Sequence, residues 1–344
     1  MTETATEGRK IDHVNIVIKE DVNAKGITTG FGRYHFEHDA LPELDMRRID
    51  LSTTFLGKQL RAPFLISSMT GGAAPTEKIN LQLAEAAQAL GVAMGVGSQR
   101  AAIFDPSVAA SYQVRRVAPD IALFANLGAV QLNYGYGVEQ CLRAVDMIQA
   151  DALILHFNAL QEAVQPEGDT NFAGLLQKVE AICRALPVPV IAKEVGNGIG
   201  AKTAKRLVDA GVQAIDVAGA GGTSWSEVER FRHRTQAGQR IAATFAGWGI
   251  PTTEAIKQVR AALPSIGIIG SGGLRSGLDL AKAIALGADL GASAAPNLLA
   301  QNDGGSEAVY EAILTVIDEL RISMFCTGAA NLAELRQTPL YFVG

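Results

Sequence analysis

Eight short apolar runs, separated largely by amphipathic segments, occupy the chain from residue 63 onward. They are Pro63–Ser67, Val92–Gly97, Ile121–Asn126, Ala152–Phe157, Pro189–Lys193, Ala214–Val217, Ile266–Gly270 and Leu290–Ser293. Each has strand length and is apolar along most of it, as parallel strands buried on both faces are. Helical periodicity follows at Glu77–Leu90, Val138–Gln149, Phe172–Leu186, Ala201–Ala210 and Thr252–Leu263, the last with Pro251 in helix-entry position. Eight strands alternating with helices predict an α/β fold, a closed (β/α)8 TIM barrel. A doubly wound open sheet is the rival, but it more often uses fewer strands and a topological switch.

Two regions fall outside this pattern. Residues 1–62 form a charged N-terminal extension, expected to pack on the barrel (63–344) or on a neighbouring subunit. Residues 219–250 form a long Gly- and Arg-rich loop after strand six, the length of a lid, a binding loop or a disordered segment. Hydrophobic residues at 48% and charged residues at 19% suit a well-buried core, and a net charge of −5 argues against nonspecific nucleic-acid binding. Cys141, Cys183 and Cys326 have no CxxC spacing, which points to a reducing compartment without disulfides or thiolate metal sites. Met1–Lys10 has no apolar h-region and no uninterrupted stretch reaches membrane-spanning length, so a cytoplasmic protein without a membrane partner is expected.

In such a barrel the chemistry gathers in loops at the C-terminal strand ends. Strand one ends in Ser67-Ser-Met-Thr-Gly-Gly72, strand two in Gly97-Ser-Gln-Arg100 and strand three in Asn126. Strand four breaks from an apolar run into His156, Asn158, Gln161 and Glu162, and strand five ends in Lys193-Glu194. The plain reading of the strand-four cluster is a polar loop with turn residues Pro166 and Gly168. Four hydrogen-bonding or metal-binding groups at one strand exit favour a functional one.

Strands seven and eight run into Gly270-Ser-Gly-Gly-Leu-Arg-Ser-Gly277 and Gly291-Ala-Ser-Ala-Ala-Pro296, the usual phosphate position in this fold. Amides and hydroxyls on strands one to three, with Lys193, suit a flavin edge, where an ammonium would stabilise negative charge on the reduced ring. A salt bridge from Lys193 to Glu194 or to a helix carboxylate is an equal alternative. No GxGxxG fingerprint with its acidic partner appears, which argues against a Rossmann dinucleotide site. Glu162 suits Mg²⁺ bridging to substrate phosphates, or is an ordinary surface charge. Arg9, Lys10, His13 and Arg100 offer positive charge to an anionic substrate, although Arg9-Lys10 alone reads as a flexible basic end.

Taken together, these residues resemble the type 2 isopentenyl-diphosphate delta-isomerases, flavin-dependent TIM barrels. The resemblance rests on Arg9-Lys-Ile-Asp-His13, Ser67–Gly72, Gly97–Arg100, His156-Phe-Asn-Ala-Leu-Gln-Glu162 and Pro166-Glu-Gly-Asp169. It continues through Ala192-Lys-Glu-Val-Gly196, Gly221-Gly-Thr-Ser-Trp225 and Gly270–Gly273, in order along nearly the whole chain. It implies interconversion of isopentenyl and dimethylallyl diphosphate with reduced FMN and Mg²⁺, the flavin being reduced by NADPH or NADH. By motif, Ser68, Met69, Thr70, Ser98, Asn126, Lys193 and Thr223 are implied to contact FMN, with Gly272, Gly273, Ala294 and Ala295 at its phosphate. Arg9, Lys10, Ser98, Gln99, Arg100, His156 and Asn158 are implied at the substrate, with Gln161 beside the allylic carbon and Glu162 on Mg²⁺. The resemblance implies Gln161 and His156 as the catalytic pair. The chain departs from the family pattern at Ala218, where a small hydroxyl residue is expected.

The chemistry is consistent with those groups. Moving a double bond by one carbon adds one proton and removes another, and an alkene is a very weak base. No side chain in the cluster is an obvious strong acid, so the cofactor is expected to carry the hard step. Two other readings stand. An FMN-dependent 2-hydroxy-acid oxidase or dehydrogenase of the same barrel class could use His233 as its base, but gives Gln161-Glu162 no role. A non-catalytic flavin- or phosphate-binding protein would differ by lacking turnover. A homo-oligomer, tetramer or octamer, is expected.

Overall fold

Because each strand must bury both faces, the sheet needs cover on each, either helices on both sides or helices outside and its own closed interior within. The computed structural model, which describes residues 3–344 apart from the side chains at positions 3–7 and 9, has the second, closed form. Phe64–Ile66, Ala93–Gly95, Leu123–Gly128, Ala152–Phe157, Val190–Glu194, Ala214–Asp216, Gly267–Ser271 and Leu290–Ser293 pair in parallel, each with the next. The eighth returns to the first, with Ala292 opposite Leu65, and closes the (β/α)8 barrel. All eight predicted runs supply a strand. Strand three continues past Asn126 to Gly128 because Leu127 and Gly128 still pair with Leu155 and His156.

Helices Ala74–Leu90, Val138–Ile148, Leu175–Ala185, Ala201–Asp209 and Thr252–Ala262 match the five periodicities, with ends moved by up to three residues. The first begins early because Pro75 occupies its first turn and the Thr76 hydroxyl donates to the Ala73 carbonyl at 2.6 Å. Helix Gly277–Ala285 and the segment Ala295–Phe325, two helices broken at Gly304-Gly305, complete the outer ring. No helix among the described residues is long and apolar enough to cross a membrane.

Side chains alternate faces along each strand, and this parity divides the core in two. Leu65, Ala93, Ala122, Phe124, Ala152, Ile154, Ile191, Ala214, Ile269, Leu290 and Ala292 fill the barrel interior. Their neighbours, such as Phe64, Ile66, Leu123, Leu153, Leu155 and Ile268, face the helices. Two residues further along the inward rows stand Asn126, His156, Lys193, Asp216 and Ser271. The same period that packs the barrel floor therefore places polar groups at its C-terminal mouth.

The extension touches both ends of the barrel. Hairpin Thr53–Phe55/Lys58–Leu60 inserts Phe55 and Leu60 into the interior cluster from below. Its two-residue turn has positive φ at Leu56 (47°) and Gly57 (79°), as a type I′ turn requires. Leu56 accepts that unfavourable backbone while its side chain packs on the same cluster. Strand Tyr34–Phe36 pairs with Leu340–Phe342, joining the two ends of the chain. At the other end of the barrel, helix Glu3–Lys19 lies over the mouth, and Ala24 and Ser224 exchange backbone hydrogen bonds with Gly222 and Val22. Residues 219–250 fold into helices Trp225–Arg232 and Gln236–Thr244, and the Ala220 N–H donates to the Ile250 carbonyl at 2.8 Å to close the excursion.

If the hairpin is the floor of the barrel, Phe55→Ala leaves a cavity there and costs about 3 kcal/mol or more. Thermal unfolding should then fall by about 5 °C or more. A midpoint within about 1 °C of the parent would show that Phe55 carries no packing load.

Candidate active site

The mouth is a cleft lined by Ser68, Met69 and Thr70 after strand one, Ser98 and Arg100 after strand two, and Asn126 on strand three. His156, Asn158, Gln161 and Glu162 from strand four and Lys193 from strand five continue the wall, and Lys10 and His13 roof it. A second cavity, lined by Thr223, Gly272, Gly273, Ala294 and Ala295, also has Lys193 and Val195 in its wall, so the two meet at Lys193. The structure thus gathers the predicted residues into two adjoining chambers, with two exceptions. The Arg9 side chain lies outside the described residues.

Gln99 is the other exception, and a correction. Its side chain is fully buried away from the cleft, where Nε2 donates to the Ala144 carbonyl at 2.8 Å and Oε1 accepts from the Asn126 N–H at 2.9 Å. It fastens strand three to helix Val138–Ile148 instead of facing a substrate. Ser98 and Arg100 flank it in sequence, but the chain turns into helix Arg100–Phe104 there, so the three side chains diverge.

The polar groups of the cleft are incompletely satisfied. Among the described residues, five buried side-chain atoms lack a hydrogen-bond partner: Ser68 Oγ, Thr70 Oγ1, Gln131 Oε1, Asn158 Oδ1 and Asp216 Oδ2. Four belong to residues of the cleft wall. The fifth stands 3.4 Å from Lys193 Nζ. Such atoms are costly unless something polar meets them, so their concentration here fits a ligand with many hydrogen-bonding edges.

Around Gln161 the network is nearly complete. Asn158 Nδ2 donates to Gln161 Oε1 (3.1 Å) and to Glu162 Oε1 (2.9 Å). Gln161 Nε2 donates to Glu229 Oε1 at 3.0 Å; a carboxylate only accepts, so the amide orientation is fixed. Glu229 is wholly buried and also meets His13 Nε2 at 3.0 Å and Arg232 Nη1 at 2.6 Å. Burial pushes its carboxyl up, but the bonds and charge from His13, Gln161 and Arg232 outweigh burial and hold it at about 2. Trp225 packs edge-on to His13, with ring centroids 5.0 Å apart. Glu229 and Trp225 reach the site from the long loop; Trp225 closes the Gly221–Trp225 motif, whereas nothing in the sequence around Glu229 announces it.

Glu162 is buried, and its remaining oxygen accepts from Gln165 Nε2 and from the Asp169 N–H at 2.7 Å. Its three donors are neutral, so none of them balances its charge. A carboxylate has about four lone-pair sites, which leaves about one for a cation. No group of three His, Cys, Asp or Glu suited to a metal occurs among the described residues, so a cation here would rely on water and substrate oxygens.

Lys10 Nζ donates to the Ser98 carbonyl at 2.8 Å and to the Gly71 carbonyl, tying the extension to the first two loops. Arg100 pairs with Asp169 at 2.9 Å, and His156 Nδ1 meets Asn126 Oδ1 at 2.8 Å. The Glu194 carboxylate is occupied by the backbone N–H groups of Val195, Gly196, Asn197 and Gly198, and burial pushes it up. The ion pair of Lys193 is with Asp216, not with Glu194. His233 bonds the Val164 carbonyl at 2.6 Å and does not line the cleft.

In the second chamber, Gly272 and Gly273 have φ of +102° and +77°. A Cβ on Gly222 would come within 2.5 Å of the Gly273 nitrogen, so the loops after strands six and seven meet backbone to backbone. Helix Ala295–Phe325 opens into this chamber with no side-chain cap at Ala294, which leaves its first N–H groups and positive dipole end for an anion. Ala218, also in this wall, has φ +36°.

Comparison with known proteins agrees with this architecture. The FMN-dependent dehydrogenase family model matches residues 3–117 and 144–341. An isopentenyl-diphosphate delta-isomerase of Synechocystis sp. is 58% identical over 337 residues, covering 98% of this chain and 96% of that one. A protein of the same name from Nostoc sp. is 56% identical over 334 residues, covering 97% and 95%. Among solved structures, a mandelate oxidase with (S)-2-phenylpropionate has a TM-score of 0.69 at 19% identity, covering 99% of this chain and 98% of that one, a likeness of fold alone. The chain belongs to the FMN-dependent dehydrogenase family and, within it, to the type 2 isopentenyl-diphosphate delta-isomerases, and is an isomerase.

Proposed function

We propose that this isomerase interconverts isopentenyl diphosphate and dimethylallyl diphosphate using reduced FMN and Mg²⁺, with no net redox change. The observation that carries the reading is the set of unpartnered buried polar atoms in one cleft, joined at Lys193 to a chamber with an uncapped helix N-terminus. A flavin ring with a phosphate tail needs those two environments side by side. Ser68, Met69, Thr70, Ser98, Asn126, Lys193 and Thr223 would hold the ring and its chain, and Gly272, Gly273, Ala294 and Ala295 the phosphate. When bound, reduced FMN supplies an electron-rich ring beside the alkene.

The chain's own residues do the rest. Lys10 and Arg100, with Arg9, bring positive charge to the diphosphate, and His156 and Asn158 add hydrogen bonds. Glu162 would hold Mg²⁺, which would bind and orient the substrate's diphosphate. Gln161 is a neutral amide fixed between Asn158 and Glu229, and it positions the substrate or passes a proton without a free charge beside the alkene. Helix Glu3–Lys19 and Trp225 exclude water from the site. NADPH or NADH serves only to reduce the flavin. The exposed Tyr341, Phe342 and Val343 support assembly into a homo-oligomer, a tetramer or octamer, and three free cysteines suit a cytoplasmic setting.

The test is NMR of isopentenyl diphosphate in D₂O with enzyme, FMN, Mg²⁺ and NADPH, against a control without reductant. Reductant-dependent dimethylallyl diphosphate carrying deuterium is expected, whereas no turnover with bound, reduced FMN contradicts the proposal. Glu162→Gln should raise the Mg²⁺ needed for half-maximal activity by about tenfold or more while FMN stays bound. An unchanged Mg²⁺ dependence would remove Glu162 from the metal site.

A further inference from the structure

The parity that turns Lys193 into the mouth also turns Asp216 into the barrel, opposite it in register on the next strand. Asp216 is completely buried. One oxygen accepts from the Ser271 hydroxyl; the other has no hydrogen-bond partner and stands 3.4 Å from Lys193 Nζ. One step lower in the same inward rows the residues are Ala214 and Ile269, so an apolar side chain would continue the packing. A carboxylate in that position is unfavourable unless a cation answers it.

Lys193 has three ammonium protons. One goes to the Glu194 carbonyl at 2.9 Å, and Asp216 faces another. The third remains where the two chambers meet. Glu194, next to Lys193 on the strand, points to the opposite face, where its Oε2 accepts from four backbone N–H groups.

We propose that Asp216, braced by Ser271, is the positioning residue for Lys193: it fixes the ammonium at the junction of the chambers so that the site favours the reduced flavin. The inference rests on the FMN reading above. Without the carboxylate, only the Glu194 carbonyl still holds the ammonium, which is then free to turn away from the junction and leave the flavin edge unmet.

The test is the midpoint potential of FMN bound to the holoenzyme. Asp216→Asn should lower it by about 30 mV or more, a roughly tenfold loss in the preference for reduced over oxidised FMN. Oxidised FMN should remain bound through desalting. In a Lys193→Met background the same change should no longer lower the potential, because Asp216 acts through Lys193 and the loss of its own negative charge can only raise it. Ser271→Ala should move the potential in the same direction by less, and serves if Asp216→Asn does not fold. An unmoved or raised potential, equal weakening of both redox forms, or the same shift with and without Lys193 overturns the proposal. If the parent enzyme binds no FMN, the FMN reading itself fails first.

Discussion

A strand's side chains alternate faces, and in a closed barrel one of those faces has nowhere to go but the interior. The lower wall of the site follows from that restriction. The inward positions must first fill the floor, and small residues such as Ala93, Ala122, Ala152, Ala214 and Ala292 make room for Phe124, Ile154, Ile191 and Ile269. Phe55 and Leu60 of the extension then seal the space the strands leave below. Where the floor ends, the next inward residues are Asn126, His156, Lys193, Asp216 and Ser271, so the polar mouth is delivered by the same repeat that packs the core.

The upper wall has a different origin. Helix Glu3–Lys19 and helix Trp225–Arg232 are far apart in sequence and converge on Glu229, whose carboxylate joins His13, Gln161 and Arg232. A buried carboxylate survives only with such partners. Its presence therefore fixes the extension, the long loop and the strand-four cluster relative to one another, and it orients the Gln161 amide.

Much of this was legible in the sequence. The eight apolar runs gave the barrel because strands covered on both faces carry their signal in composition, and the glycine loops marked the second chamber because positive φ at Gly272 and Gly273 restricts residue type. What could not be read depends on contacts between distant segments. Glu229 and Asp216 look like any helix or strand carboxylate until packing buries them. Gln99 misled because its neighbours Ser98 and Arg100 do line the cleft, whereas its own amide is drawn into strand three and the Ala144 carbonyl. For Lys193 the sequence left a flavin edge and a salt bridge to Glu194 or a helix carboxylate as equals; residues one apart on a strand point to opposite faces, and the carboxylate it meets is Asp216, in register on the next strand.

The most direct measurement is a crystal structure of the chain with FMN bound. The account predicts the flavin ring against Ser68, Asn126 and Lys193, with its phosphate at Gly272, Gly273 and the N-terminus of helix Ala295–Phe325. A flavin bound elsewhere, or a phosphate outside the second chamber, would contradict it.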